Sequence, residues 1–595
     1  MIRTPLRPLA RILTARQKGE NPDAIERENR RIRFEQTQAA SRKRAERRLW
    51  VMSGLFVMAF CVLALRMGHW STIRSEPARA STSTAQTQYD RADILDRNGH
   101  ILATNMPTFA VYAHPHQLLD PARAARELAR IFPDRDEAQL LEQLSDPARK
   151  FVWIKRVISP EQRRAVHDLG EPGVHFGPRE TRIYPNGALA AHVLGGVKFG
   201  HEGVNFAELI GIAGIEHSHE AVLRDPARRD TPLRLSIDLS VQAAIEEVLG
   251  TGMKYLHARG AAAVLMDIET GEIVSLVSLP DFDPNDRPRP PLEGEASDSP
   301  LFNRAVQGVY ELGSTFKIFT AAQAMSLGIV HANTKVDTSP PLEINGARIG
   351  EFEGHNYGNL TVEQIIVKSS NRGVGRLALS IGSARQQEFM RDLGFFEQVP
   401  VELSEAVGGK PLLPERWGDL STVTVSYGHG ISVTPLHLAV GYAAIANGGQ
   451  RITPTLLRQD APQVGPHVLP GEAAQAARDM LRKVVTEGTA SFADVAGYPV
   501  AGKTGTADKP RPGGGYFEDK TITTFASFFP ANAPRYVLVV TLDEPVEASG
   551  ETPRRTAGWT AVPVASEMIG QIAPLLGLRP HYQLGQVERV MRSAH

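Results

Sequence analysis

The 595-residue sequence predicts an α+β protein, and three observations carry that expectation. Between residues 233 and 578, strand-like runs stand at both ends and helical runs lie between them. This is the pattern of an antiparallel sheet flanked by helices, with a helical subdomain inserted. Residues 89–232 mix short strand and helix signals, as a separate α/β stalk, or pedestal, would. One uncharged apolar run, 49–65, has the length of a single transmembrane helix once Arg66 reaches back to the interface.

Taken in order, residues 1–48 are polar and arginine-rich, for example Arg42-Lys43-Arg44, and are expected to form a cytoplasmic basic tail. The span is placed at 49–70, with Trp50 and Trp70 as interfacial anchors. The basic cluster before it puts the N-terminus in the cytoplasm and the rest of the chain across the inner membrane, in the periplasm. A cleaved signal peptide is the alternative. The long preceding tail and the absence of a small-residue cleavage site near Leu65 argue against it. Residues 71–88, small and polar, are a linker. In the 89–232 region, Asn98-Gly99 between apolar runs predicts a hairpin turn, and 122–131 predicts an amphipathic helix. No nucleophile–base set stands out there, so it reads as a non-catalytic interaction domain.

From 233 the pattern changes. A short strand at 233–238 and a helix at 240–249 lead to two apolar runs, 261–268 and 272–277, that flank the Glu269-Thr270-Gly271 turn and predict an antiparallel hairpin. Further strands are expected around Lys503, at 521–529 and at 535–542, with a closing helix at 563–572. Residues 511–515, Arg-Pro-Gly-Gly-Gly, read as a mobile loop. Residues 579–595 are a C-terminal tail.

Lysine plus arginine balances aspartate plus glutamate at 66 each, so the formal net charge is zero and nucleic acid is not an expected partner. The single cysteine, Cys61, excludes an internal disulfide and a cysteine metal site. His114 and His116, and His217 and His219, lack a ligand spacing and read as surface or packing groups. No metal and no cofactor are expected.

The chemistry concentrates in three short stretches. Ser314 and Lys317 sit three residues apart ahead of a helical run, which places their Cβ atoms roughly 5–6 Å apart on one face. A hydroxyl is a poor nucleophile until a base removes its proton, and a neutral lysine can do so. Bringing a lysine from about 10.4 to near 7 takes roughly 4 kcal/mol, which burial and a neighbouring cation supply. Next comes Lys368-Ser369-Ser370-Asn371, after a helical run at 362–367. Ser369 offers a relaying hydroxyl, and Asn371 an amide that both donates and accepts. Last is Lys503-Thr504-Gly505-Thr506. Here Lys503 supplies a fixed positive charge, Thr504 and Thr506 supply hydroxyls for a substrate carboxylate, and Gly505 leaves room for a substrate backbone. The backbone N–H groups of Ser314 and Thr506 are candidate oxyanion donors, each worth about 2.7–4 kcal/mol. Arg304 and Glu311 are structural or substrate-facing, and His429 is expected to position the catalytic subdomain, with direct acid–base work as the alternative.

Ser-x-x-Lys, Ser-x-Asn and Lys-Thr-Gly in this order are the motif set of penicillin-binding proteins and serine β-lactamases. From about residue 49 to 578 the chain resembles class B penicillin-binding proteins. Further landmarks are Arg91 with Asp96-Arg97-Asn98-Gly99, Arg182-x-Tyr184-Pro185, Gly214-Ile215-Glu216 and Asn303-Arg304-Ala305-Val306. The segment Ser426-Tyr427-Gly428-His429-Gly430 is more similar to the division branch than to the elongation branch. Leu312 departs from the proline of many relatives.

The resemblance implies a septal D,D-transpeptidase acting on peptidoglycan stem peptides that end in D-Ala-D-Ala. It implies Ser314 as nucleophile and β-lactams as acylating inhibitors. It also implies a membrane glycosyltransferase of the FtsW type and other division proteins as partners. An elongation enzyme, a D,D-carboxypeptidase or β-lactamase on the same site, and a β-lactam-sensing scaffold are the competing readings.

Overall fold

The computed structural model describes residues 91–203, 206–228, 230–511 and 513–581, together with 9–20, 50–62 and isolated positions between 21 and 66. The chain divides into two compact units, 1–86 and 87–595. In the first, helix Leu9–Gln17 and the helical residues 50–62 are described. The expected span 49–70 falls partly outside the described residues, and among those described no helix is long and apolar enough to cross a membrane. The linker 71–88 and most of the two tails also lie outside them.

The second unit is α+β. Its larger sheet has five strands in the order Ala501–Pro510, Tyr516–Phe529, Tyr536–Asp543, Gly260–Asp267, Ile273–Leu279, all antiparallel. Every residue of the three strands Tyr536–Asp543, Gly260–Asp267 and Ile273–Leu279 is buried. That is why Ala261-Ala262-Ala263-Val264-Leu265 is an unbroken apolar run, without the alternation of a half-exposed strand. Helices Leu239–Tyr255 and Ala561–Leu575 pack on each other and on one face; Pro435–Ala446 and Gly471–Glu487 cover the other. Helix Pro435–Ala446 is buried along its whole length, as its apolar circumference requires. Thr434 and His437 close its N-terminus with a reciprocal capping box.

Between strands Ile273–Leu279 and Ala501–Pro510 the chain makes an inserted helical region. It includes Lys317–Ser326, Val362–Val367, Asn371–Ile381, Ser383–Asp392 and Asp419–Ser426. The expected hairpin 261–277, the strands after 500 and the closing helix are all present, most of them longer than the apolar runs alone mark out. Arg511 and Gly513–Gly515 lie at the tip of the hairpin joining the first two sheet strands, with the Arg511 N–H bonded to the Gly515 carbonyl.

The pedestal has its own sheet. Strand Ile101–Ala113 pairs with Val152–Ile158, Val174–Ile183 and Ile94–Leu95, the last through the expected Asn98-Gly99 turn. Leu233–Arg234 pairs parallel with Ile94–Leu95, so the segment that leads into the larger sheet is still stitched to the smaller one. The landmarks Arg91, Arg182, Tyr184 and Glu216, up to 125 residues apart, converge. Glu216 is fully buried and accepts from Arg182 Nε at 2.7 Å and from the Tyr184 hydroxyl at 3.2 Å, and pairs with Arg91 Nε. Burying a carboxylate is unfavourable unless its oxygens are paired in this way.

Candidate active site

Ser314 lies in a 3-10 turn, Gly313–Phe316, that runs directly into helix Lys317–Ser326. The turn is held from several sides. The Thr315 hydroxyl donates to the Leu312 carbonyl at 2.9 Å, and the buried Tyr442 hydroxyl donates to the Thr315 carbonyl at 2.9 Å. Phe316 and Phe319 pack with Phe395 and Tyr442 beneath it. Gly313 has φ +56°, and a Cβ there would lie 2.8 Å from the Thr506 carbonyl oxygen, so glycine is required twice over.

The three motifs meet. Lys317 and Lys503 are both fully buried, and both reach one hydroxyl: Ser369 Oγ accepts from Lys317 Nζ at 3.0 Å and from Lys503 Nζ at 3.1 Å. Lys317 Nζ also donates to the Ser369 carbonyl. Ser369 adopts the left-handed conformation, φ +61°. That is an uncommon state for a residue with a Cβ, and it is held here by the surrounding bonds. Glu351 organises the same loop: it accepts from the Ser370 hydroxyl at 2.6 Å and from the backbone N–H groups of Asn371 and Arg372 at 2.8 and 3.1 Å. Asn371 Nδ2 donates to the Gly350 carbonyl at 3.0 Å.

Burial, and then the charge of Lys503, hold the Lys317 amine well below the ordinary lysine value, with Glu351 opposing. Burial alone brings Lys503 down to about 7. Lys503, expected as a fixed charge, is fully buried, which draws its amine down toward neutrality, and an anion beside it would oppose that.

On the Ala501–Pro510 strand, Thr504 and Thr506 turn into a cavity of about 580 Å³ that Ser314, Lys317, Ser369 and Asn371 also line. The Thr504 hydroxyl is 2.7 Å from that of Thr489, and Thr506 Oγ1 accepts from the Ala557 N–H at 3.0 Å. Gly505 turns the other way. A Cβ there would sit 2.2 Å from the Leu312 carbonyl oxygen and 2.8 Å from Thr315 Cγ2. The room this glycine leaves is therefore taken by the turn bearing Ser314, not by space for a substrate as expected.

Several wall residues carry no motif. Glu351, Thr489, Asp508 and Trp559 reach the cavity from separate segments. Glu311 lies behind its mouth. Its Oε1 accepts from the Gly430 N–H at 2.7 Å and the Tyr516 hydroxyl at 3.1 Å, and its Oε2 is 3.6 Å from His429 Nδ1. Arg304 is buried, with one guanidinium N–H donating to the Ser297 carbonyl at 2.6 Å, which makes it structural. Among the described residues no group of histidine, cysteine or carboxylate side chains is clustered to hold a metal.

Two family matches fall on this architecture. Residues 261–563 match the penicillin binding protein transpeptidase domain, and residues 86–227 the penicillin-binding protein dimerisation domain. The chain is 31% identical over 574 residues to the probable peptidoglycan D,D-transpeptidase FtsI of Caulobacter vibrioides, covering 94% of each. It is 28% identical over 562 residues to peptidoglycan D,D-transpeptidase FtsI of Escherichia coli K12, covering 90% of this chain and 92% of that one. It also superimposes on the apo transpeptidase domain of Burkholderia pseudomallei penicillin-binding protein 3, with TM-score 0.52 and 32% identity over 59% of this chain and 98% of that one.

Proposed function

Since this chain belongs to the class B penicillin-binding proteins and is a penicillin-binding peptidoglycan D,D-transpeptidase, we propose that Ser314 is its nucleophile and that its cross-links serve the division septum. The observation that carries the chemical assignment is the shared hydroxyl. Ser369 Oγ lies within hydrogen-bond distance of both lysines, in the cavity that Ser314 lines.

In this reading Lys317, neutral in the resting enzyme, takes the Ser314 proton as Oγ attacks the penultimate carbonyl of a D-Ala-D-Ala stem. The oxyanion is held by the backbone N–H groups of Ser314 and Thr506. Ser369 passes a proton to the leaving D-alanine nitrogen. Asn371 orients the stem amide. Lys503, Thr504 and Thr506 hold the terminal carboxylate, whose charge keeps Lys503 protonated while substrate is bound. Gly505 serves by letting its strand lie against the nucleophile's turn. An amine of a second stem then displaces Ser314. β-Lactams acylate the same hydroxyl.

The septal role is supported by the names of the FtsI relatives at 28–31% identity. With it go an FtsW-type glycosyltransferase, other division proteins and the cytoplasmic membrane as partners. The anchor at 49–70 holds the domains of 89–232 and 233–578 in the periplasm. Labelling with fluorescent penicillin tests the nucleophile: wild type labels and Ser314→Ala does not. Depletion tests the process: filaments support septal work, and round cells reassign the protein to elongation. Rapid release of free penicilloate favours the hydrolase reading. Growth and septation on Ser314→Ala favour the sensor.

A further inference from the structure

Glu311 has one oxygen fully engaged and one idle. Oε1 takes the Gly430 and Tyr516 donors. Oε2 is buried without a hydrogen-bond partner, although the side chain is only 10% exposed. The group nearest to it in charge and reach is His429 Nδ1, at 3.6 Å. Leaving a buried carboxylate oxygen unpaired is unfavourable. A proton arriving on His429 would turn that long contact into a charge-assisted bond.

His429 itself lines the cavity with Ser314. Its neighbour Gly428 is pressed on the turn before the nucleophile, where a Cβ would meet the Gly313 carbonyl oxygen at 2.2 Å. The imidazole therefore stands on the cavity wall, one residue from a glycine packed against the turn before Ser314. The motif chemistry above gives it no task.

We propose that His429 is the group that takes the first proton from the incoming acceptor amine, with Glu311 as the positioning residue that holds the resulting imidazolium. The proposal rests on the acyl-enzyme reading above. A primary amine arrives at neutral pH as an ammonium, which has no lone pair to attack with. With Nδ1–H turned to Glu311 Oε2, Nε2 accepts one ammonium proton and leaves a neutral amine. The amine nitrogen bonds to the acyl carbon and the carbon–Oγ bond to Ser314 breaks. The second amine proton passes through Ser369 to Ser314 Oγ, and His429 returns its proton to water.

The groups around the ring suit a proton acceptor that stays neutral until needed. Burial holds the imidazole below its ordinary value; Glu311 and Asp508 oppose this, and Lys317 adds to it. Tyr516 and Tyr427 sit beside the ring and stay protonated, each pushed up to about 12, chiefly by burial. The carboxylates of Glu311 and Asp508 also make the mouth favourable to a cationic acceptor.

The test uses the full-length protein in detergent, acylated by a D-alanyl thioester, with two acceptors. D-Alanine is an ammonium at neutral pH; hydroxylamine is already a free base. The readout is aminolysis product over hydrolysis product, both drawn from one acyl-enzyme. His429→Gln lowers that ratio for D-alanine about 10- to 100-fold at neutral pH and leaves it within about twofold for hydroxylamine. Raising the pH by about two units restores much of the D-alanine ratio. Glu311→Gln follows in the same direction. An unchanged D-alanine ratio in His429→Gln, or an equal loss for both amines at both pH values, overturns the proposal.

Should His429→Gln give no acyl-enzyme, the unmodified protein decides. Its D-alanine to hydroxylamine preference stays within about threefold across that pH range if the enzyme removes the proton. A rise of tenfold or more, toward the roughly 100-fold growth of free D-alanine amine over two pH units, overturns the proposal. Thioester turnover by Ser314→Ala would instead overturn the acyl-enzyme reading itself.

Discussion

Lys503, fully buried, donates from Nζ to the hydroxyl of Ser369 at 3.1 Å, across 134 residues of sequence. This one bond joins the edge strand of the sheet to the loop after Val362–Val367, and it places a titratable cation beside the hydroxyl proposed to relay protons. Its pH behaviour follows. With its amine at about 7 in the free protein, Lys503 is charged below neutrality and loses its charge as pH rises through that value. Acylation by a penicillin bearing a free carboxylate should therefore decline above about pH 7 to 8, by up to about tenfold per pH unit. A penicillin esterified at that carboxylate should lack this limb. Stopped-flow acylation rates across pH, acid against ester, check it.

Gly505→Ala should be among the most damaging single-methyl changes in the domain. The added carbon would meet the Leu312 carbonyl oxygen at 2.2 Å, and backbone cannot yield as a side-chain tip can. Either the strand or the turn bearing Ser314 must shift. The expected outcome is a penicillin acylation rate lower by about 100-fold, since small misplacements at a reacting centre have effects of that size. A stability loss of about 1–3 kcal/mol should accompany it. Acylation kinetics and thermal denaturation report the two separately.

Removing Glu351 should loosen the Ser369–Asn371 loop. Its carboxylate takes three donors, from Ser370, Asn371 and Arg372. Glu351→Ala is expected to lower stability by about 1.5–3 kcal/mol and to slow acylation. Glu351→Gln, which keeps one acceptor oxygen, should fall between. Chemical denaturation of the two variants gives the order.

Glu216→Ala strips the shared partner from buried Arg91 and Arg182. Arg91 keeps Glu220 at 2.8 Å, but Arg182 is left a buried cation without its carboxylate, a change that destabilises by about 3–5 kcal/mol. The pedestal should then unfold first, seen as early proteolysis between residues 91 and 228 while the 261–563 region stays protected.

The sheet and the motif residues were legible because their signals are local. Ser314 with Lys317 is a helical spacing, and Ala261 to Leu265 is an apolar run. Lys503-Thr504-Gly505 leads into a strand whose pattern is visible. Glu351, Thr489, Asp508 and Trp559 were not legible as wall residues, because nothing in their neighbours marks them and only the folded chain brings them to the cavity. Glu311 and His429 stand out in the sequence, but their pairing does not: they are 118 positions apart and meet beside the backbone bridge between Tyr310 and Val433. The pedestal landmarks were legible as landmarks, and their convergence on Glu216 was not. For Lys503 the sequence shows a lysine and hides its burial.

The left-handed backbone at Ser369 narrows the routes by which drug resistance could arise. Threonine would keep the relay hydroxyl, but a β-branched side chain is strongly disfavoured at φ +61°. Glycine would suit the backbone and lose the hydroxyl. Selection under β-lactams should therefore leave this codon alone and reshape the cavity rim instead.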